Sequence, residues 1–483
     1  MLIKRIFRRM DGTKNVGSSF ARRLTLASLG AGLVALGAGA GCTDDAAPVE
    51  ATPGDTSDGG AGEDAPVAST CTPPAGEGTV HSGSLASDSE VWTEAASPHV
   101  IDFGLTIREA QSLTIEPCAV VRVRKGQGVL VEGKLLAEGA ADMPIAIERA
   151  DAADPWSRIE VRRTADVRLA HVSIDGGGFA NGDRLDEFAM LDVRGDQDLP
   201  PQGLVHVDHV ALRGSASLGL MLREGGALAS SSAALTVTGS ASYPASSWAR
   251  SAGSIPPGTY TGNENDAIIL AALTNRDAVK EDVTFANRGV PYFVRGAQIT
   301  VGAESGSVAT LTIEAGVTMR FAKGSRLLLD APSTSEPALG ALRAVGTAEA
   351  PIVFTSAEAA PQAGDWVGIT LKGTPAPSGR IDHAKIAYAG GSSGISSYDC
   401  PSPANEGFTN EGAIIVFGGE PASAFVTNTA IEDSAGDGII RGWTGDPLDF
   451  LSSNTFARVG RCTQTFPKSS TAVCPSPAPC PKG

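Results

Sequence analysis

Asp433, Asp437 and Arg441 are the side chains whose types and spacing could carry a reaction. Paired carboxylates cleave glycosidic bonds, one acting as acid and the other as nucleophile or base. A cation such as Arg441 or the nearby Lys385 would instead stabilise the charge that develops in β-elimination of a uronic acid. The same stretch, Asp433-Ser434-Ala435-Gly436-Asp437-Gly438, is also ordinary turn composition. A corresponding stretch earlier in the chain carries Gly214 and Leu218 in place of the two acids, so catalysis by this pair is the alternative reading.

Other reactive strings carry less. Gly390-x-Ser392-x-Gly394 has the letters of a nucleophile elbow, but that motif needs a strand before it and a helix after it. Here it lies in a Gly/Ser-rich insertion. His171, His209 and His383 share one position of a repeated pattern, and Asn428 fills the fourth copy. An amide does not titrate, so the shared position is not that of a general base or metal ligand. All four side chains can bond backbone groups at a bend, and they are read as a structural ladder ending an inward-facing row. His206 and His209 stand three apart on a strand and face opposite sides. No Cys-x-x-Cys pair is present, so no metal site is expected. No cofactor is expected either, with Ca²⁺ alone left open.

Binding residues are sought on insertions. Gly176–Glu187 and Ala389–Gly412 interrupt the chain at equivalent places, so both emerge on one edge of the fold, where rigid scaffolds present recognition loops. The second carries Tyr398, Asp399, Asn405 and Phe408, a composition suited to sugar, and Cys400 could pin it.

The elements that must position these residues repeat. Leu113-Thr114-Ile115-Glu116 returns as Leu311-Thr312-Ile313-Glu314, and Pro144-Ile145-Ala146-Ile147 as Pro351-Ile352-Val353-Phe354. Pro155-Trp156 with Ile159 and Val161 answers Asp365-Trp366 with Ile369 and Leu371. Cys118 stands where the second copy has Gly316. Short apolar runs such as Val129-Leu130-Val131 and Leu327-Leu328-Leu329 lie between turn residues with no helices intervening, which removes the βαβ class. A finer pattern, Val167-x-Leu169-x-His171-x-x-Ile174, recurs from Val205, Gly379 and Ala424 and supplies one bend per coil of a stacked solenoid. With lines such as Leu311-Thr312-Ile313-Glu314-Ala315-Gly316-Val317 and Gly364-Asp365-Trp366-Val367-Gly368-Ile369, the chain resembles exported bacterial right-handed parallel β-helix proteins of the pectin-lyase-like superfamily. That resemblance implies an all-β solenoid over roughly residues 80–460, and the repeated strings divide it into two tandem homologous halves. Its motifs are turns and strands and specify no activity.

Composition fits export. Aromatic residues are 5% of the 483, and Gly numbers 58, which suits short strands and tight turns. Residues 1–41 are read as a signal peptide: a basic region through Arg23, then an uncharged run from Leu24 to Ala40. Cys42 follows, as in the lipobox of bacterial lipoproteins, although Gly39 replaces its usual Leu. Residues 42–75 form an acidic tether that cannot bury enough surface to order itself. The halves span 76–275 and 276–461, and 462–483 is a Pro/Cys-rich tail. Without residues 1–41 the chain has 31 Lys and Arg against 53 Asp and Glu, near −22, which disfavours nucleic acid and anionic lipid as partners. Six cysteines beyond Cys42 allow three disulfides in fifteen pairings.

The leading expectation is an exported lipoprotein of the outer membrane or cell surface, touching the membrane through its lipid only. It would bind a glycan or an envelope protein noncatalytically through edge loops. A polysaccharide lyase or hydrolase is the alternative, and a purely structural surface protein the third.

Overall fold

Alternation of apolar and polar residues gives each short run one face to bury. Parallel pairing in register then places that face on the same face of the run before it. In the computed structural model, which describes residues 69–179, 187–273, 276–304, 306–402 and 409–481, this produces a parallel β-helix. Every pairing between its described strands is parallel. Three walls run along the coil. On the first, Leu113 pairs with Leu135, which pairs with Val167, then Val205. On the second, Val121, Ile147, Ile174, Leu212 and Val237 follow one another. On the third, Ile299, Leu327, Ile369, Ile414 and Ile439 do the same. All are buried. Burying one such side chain contributes about 1.5–3 kcal/mol, so the inward stack dominates stability.

The described residues form one compact unit, and the ladder passes through the join between the two sequence repeats. There Ile268–Leu273 pairs with Tyr292–Val301. The first wall is interrupted: after Gly226–Leu228 its place is taken by the 3-10 helix Ala249–Ser254, and strands resume at Val283–Phe285; the second wall also stops near here, Gly258–Thr259 pairing only with the strand before it. Among the described residues no helix is long and apolar enough to cross a membrane.

The repeated strings occupy equivalent places. Trp156 and Trp366 are fully buried, and their indole N–H groups donate to the carbonyls of Asp175 at 2.7 Å and Ala387 at 2.8 Å. Cys118 and Gly316 both have left-handed backbone, with φ of 63° and 78°, so one turn serves both copies. Cys118 is bonded to Cys71, Cys400 to Cys474 and Cys462 to Cys480.

The histidine ladder differs from the expectation of an inward row. His171, His209, His383 and Asn428 all have φ between 48° and 52°. Left-handed backbone at the corner turns each side chain out of the core: His209 and Asn428 are exposed, His171 and His383 half-buried. His, Asn and Asp tolerate this region better than other non-glycine residues, which is why these types recur. The rings of His171 and His209 stack outside the coil with centroids 4.7 Å apart.

Side-chain type at these corners should therefore matter through backbone strain. His383→Asn is expected to change unfolding free energy by less than about 0.5 kcal/mol, whereas Asn428→Val should cost about 1–2 kcal/mol. Urea denaturation of the two variants checks this. Equal effects would contradict a left-handed corner.

Candidate functional site

The residues singled out for chemistry fall at three places near the C-terminal end of the coil. Asp433 is a corner residue with φ of 51°, matching Gly214 (φ 60°) in the earlier copy. The Arg458 guanidinium from the next coil grips it with two bonds, one of 2.8 Å, and holds its carboxyl below the usual carboxylate range. Lys385 is likewise paired, to Glu432 at 3.1 Å.

Arg441 points inward and is 3% exposed. It donates to the carbonyls of Thr465 and Leu448, the latter at 2.7 Å, and lies 5.5 Å over the Phe466 ring. Burial lowers its pKa to about 10. It closes the end of the core and does not meet the surface beside Asp433.

Asp437 opens the strand Asp437–Trp443 and is fully buried. Its Oδ1 accepts the Cys462 N–H at 2.9 Å, while Oδ2 has no hydrogen-bond partner. Burial, opposed by that N–H bond and reinforced by Asp399, pushes its carboxyl up to about 7; Arg461 lowers it and Glu411 raises it. Asp399 belongs to the insertion Ala389–Gly412, yet it too is buried. Its Oδ1 accepts from Asn410 at 2.6 Å, its Oδ2 is unpartnered, and burial raises its pKa. Two acids named for separate roles are thus electrostatic neighbours beneath the insertion. Tyr398 is half-buried, its ring set edge-on to Phe417 at 5.3 Å. With Ile395 it covers the apolar patch of Ile415, Phe417 and Ile440. Asn405, Phe408 and Cys42 lie outside the described residues. Ser392 is exposed in irregular chain, and among the described residues no helix follows it, so the elbow geometry is absent there.

An open groove of about 550 Å³ runs across the coils at the corner ladder, lined by His383, Lys385, Asn428, Ser453 and Asn454 among others. Its anchor is Asp382, which sequence reasoning missed. Asp382 accepts from Thr427 at 2.8 Å, Asn428 at 2.9 Å and Arg380 at 2.7 Å. Burial opposes its ionisation, but these bonds outweigh burial and bring its pKa down to about 2. His383 Nδ1 sits 3.2 Å from the same carboxylate. The signal was present: Asp precedes His both at Asp208-His209 and at Asp382-His383.

The groove brings polar side chains from successive coils together at the surface. Asp433 and Asp437 do not form a pair open to one substrate bond, since Asp437 is buried and Asp433 is held by Arg458. Among the described residues no group of three or more His, Cys, Asp or Glu is placed to hold a metal ion.

Asp437 gives a pH dependence of known sign. Its folded pKa, about 7, lies above its unfolded value of 3.8, so the folded state holds the proton more tightly. This contribution is fully present below pH 4 and is lost as pH rises through 7. At 1.36 kcal/mol per unit the loss has an upper bound of about 4 kcal/mol. Asp437→Asn should match wild type in thermal stability near pH 5 and exceed it at pH 8. A constant difference across that range would contradict the buried acid.

Residues 278–396 match the family model of the pectate-lyase like beta helix domain. No curated protein and no solved structure matches the chain significantly. The matched segment spans the first coils after the join and the first part of the Ala389–Gly412 insertion, and the same parallel ladder extends through the coils on both sides of it. The fold is a pectin-lyase-like parallel β-helix.

Proposed function

We propose that this is an exported β-helix lipoprotein of the cell envelope that binds glycan noncatalytically along its outer edge. The observation that carries the reading is the corner groove. Its lining of His383, Asn428 and Ser453 offers polar groups on successive coils, Asn454 braces them through the Thr429 N–H and the Val426 and Phe450 carbonyls, and the lining lysine, Lys385, is paired to Glu432. Such a surface suits hydroxyls repeated along a polymer rather than a strongly charged chain. The strand Ala384–Ala387 begins at this groove and ends at the insertion that carries Tyr398, Asp399, Asn405 and Phe408. In this reading Asp399 holds the insertion from within, while Tyr398, Asn405 and Phe408 extend the binding surface.

The noncatalytic part rests on how the acids are used. A glycosidase needs two carboxyl groups flanking one bond. Asp433 is committed to Arg458, and Asp437 is enclosed beneath Cys462. Attachment rests on Cys42 and the acidic residues 42–75 that follow the apolar run.

A glycan panel read for both retention and released product tests the function. Retention without release is expected, and an Asn428→Gly/Ser453→Ala double variant, which keeps a residue suited to the left-handed corner, should weaken it by tenfold or more. Release of oligosaccharides would overturn the proposal. For the anchor, labelling cells with a palmitate analogue should mark wild type and not Cys42→Ser; label kept by the variant would remove the lipoprotein reading.

A further inference from the structure

The first coil stands at the far end of the solenoid from the corner groove. Its strands Thr79–Ser84 and Ser89–Trp92 pair, among the described residues, on one side only, with His99–Ile107 and Ser112–Ile115 of the next coil. Inside this coil three rings take the place of the aliphatic row. Trp92 is buried, with the ring centroid of His81 4.0 Å away on one face and that of His99 5.0 Å away on the other. His81 is half-buried and His99 is 2% exposed.

The two imidazoles are joined. His81 Nε2 lies 3.0 Å from His99 Nδ1, and His99 Nε2 lies 2.9 Å from the Thr93 carbonyl. A carbonyl oxygen only accepts, so the proton of a neutral His99 sits on Nε2. Nδ1 is then bare, and His81 Nε2 must donate to it. The chain of bonds thus has one direction, from His81 through His99 to Thr93. A proton added at His81 Nδ1 leaves it intact. A proton added at His99 Nδ1 sets two N–H groups against each other across 3.0 Å and breaks it.

The surroundings favour the neutral rings. Burial lowers the pKa of both; His99 lowers that of His81 further and Glu90 raises it, while the Thr93 carbonyl raises that of His99. Glu90 is engaged by the Trp92 indole at 3.2 Å and by the Ser87 N–H at 3.3 Å. Of the other charged groups on the packed elements, Glu94 is exposed in the turn Glu94–Ala96. Glu116 follows Ile115 at the next corner, its N–H on the Trp92 carbonyl at 2.9 Å. Arg122, beside the Val121 that pairs with His99, is bound to Glu148 at 3.0 Å. Both folded pKa values lie below the ordinary 6.5, so the cap's contribution is fully present above pH 6.5 and is lost as pH falls through the lower folded values.

We propose that the first coil is an acid-operated end cap: protonation of His99 breaks the His81–His99–Thr93 chain and releases Thr79–Trp92, while the coils beyond stay in register. Release uncovers the backbone edges of His99–Ile107 and Ser112–Ile115, where another strand can pair. The Cys71–Cys118 disulfide still ties the chain to the coil, so the freed segment is a loop held at both ends. This device is independent of the glycan reading.

The test is backbone deuterium exchange of the full chain at pH 7.5 and pH 5, corrected for the intrinsic effect of pH on exchange. A ring that takes its proton only once the segment is open shifts the opening equilibrium by up to about thirtyfold over that range. Peptides covering Thr79–Trp92 should therefore exchange at least tenfold faster at pH 5, with those covering Leu327–Leu329 and Ile414–Val416 unchanged. His99→Asn keeps an acceptor for His81 but does not titrate, and the amide of His81→Gln can turn to meet either form of His99. Both variants should stay closed at pH 5. If neither folds, ¹⁵N NMR of the wild-type histidine rings decides: one ring should take its proton at the pH at which the segment opens. No acid opening in wild type, opening kept by both folded variants, or opening with no ring titrating alongside it would each overturn the proposal.

Discussion

A coil of a parallel β-helix has no core of its own. Its inward row is dry only when it lies in register on the row before it, because slipping by one residue would turn every side chain to the other face. All else in this chain answers to that constraint. The corners must return the strand to the same height, which selects left-handed residues at His171, His209, His383 and Asn428. The ends have no further coil to lie on and must be closed by other means. At the start, Trp92 is sandwiched between His81 and His99, at 4.0 and 5.0 Å. At the finish, Arg441 bonds carbonyls that no strand would take, and two disulfides bind the tail over it.

The same constraint explains the places that the reactive-looking residues take in the coil. Asp433 is exchangeable with Gly214 because a corner asks for a conformation rather than a charge; having an acid there allows an ion pair to the next coil. Asp437 is tolerated inside because one oxygen caps the Cys462 N–H and the other is neutralised by a proton near neutral pH. Among the solvent-facing parts, the outside of the corners is where extra residues disturb no pairing. Changes on the edges and stability from the walls are therefore separable.

Much of this was legible in the sequence because stacking forces repetition. The strings around Leu113 and Leu311, the two tryptophans and the exchange of Cys118 for Gly316 all mark equivalent turns and strands, and together they gave the architecture. Direction was not legible at the corners: His at the fifth position of an alternating run looks inward until a positive φ turns it out. The Asp382 knot was hidden because its partners Thr427 and Asn428 lie a whole coil later. Asp399 and Asp437 were assigned to different roles since only burial under the insertion brings them together. The 3-10 helix at Ala249–Ser254 has no counterpart in the repeat, so nothing announced the break in the first wall.

The most direct measurement of the central claim, recognition at the corner edge, is hydrogen–deuterium exchange with and without an oligosaccharide retained in the glycan panel. Slowed exchange should concentrate at His383–Lys385, Asn428–Ala430 and Ser452–Thr455, the coils that line the groove. Protection confined to other walls of the coil, with these segments unchanged, would contradict it.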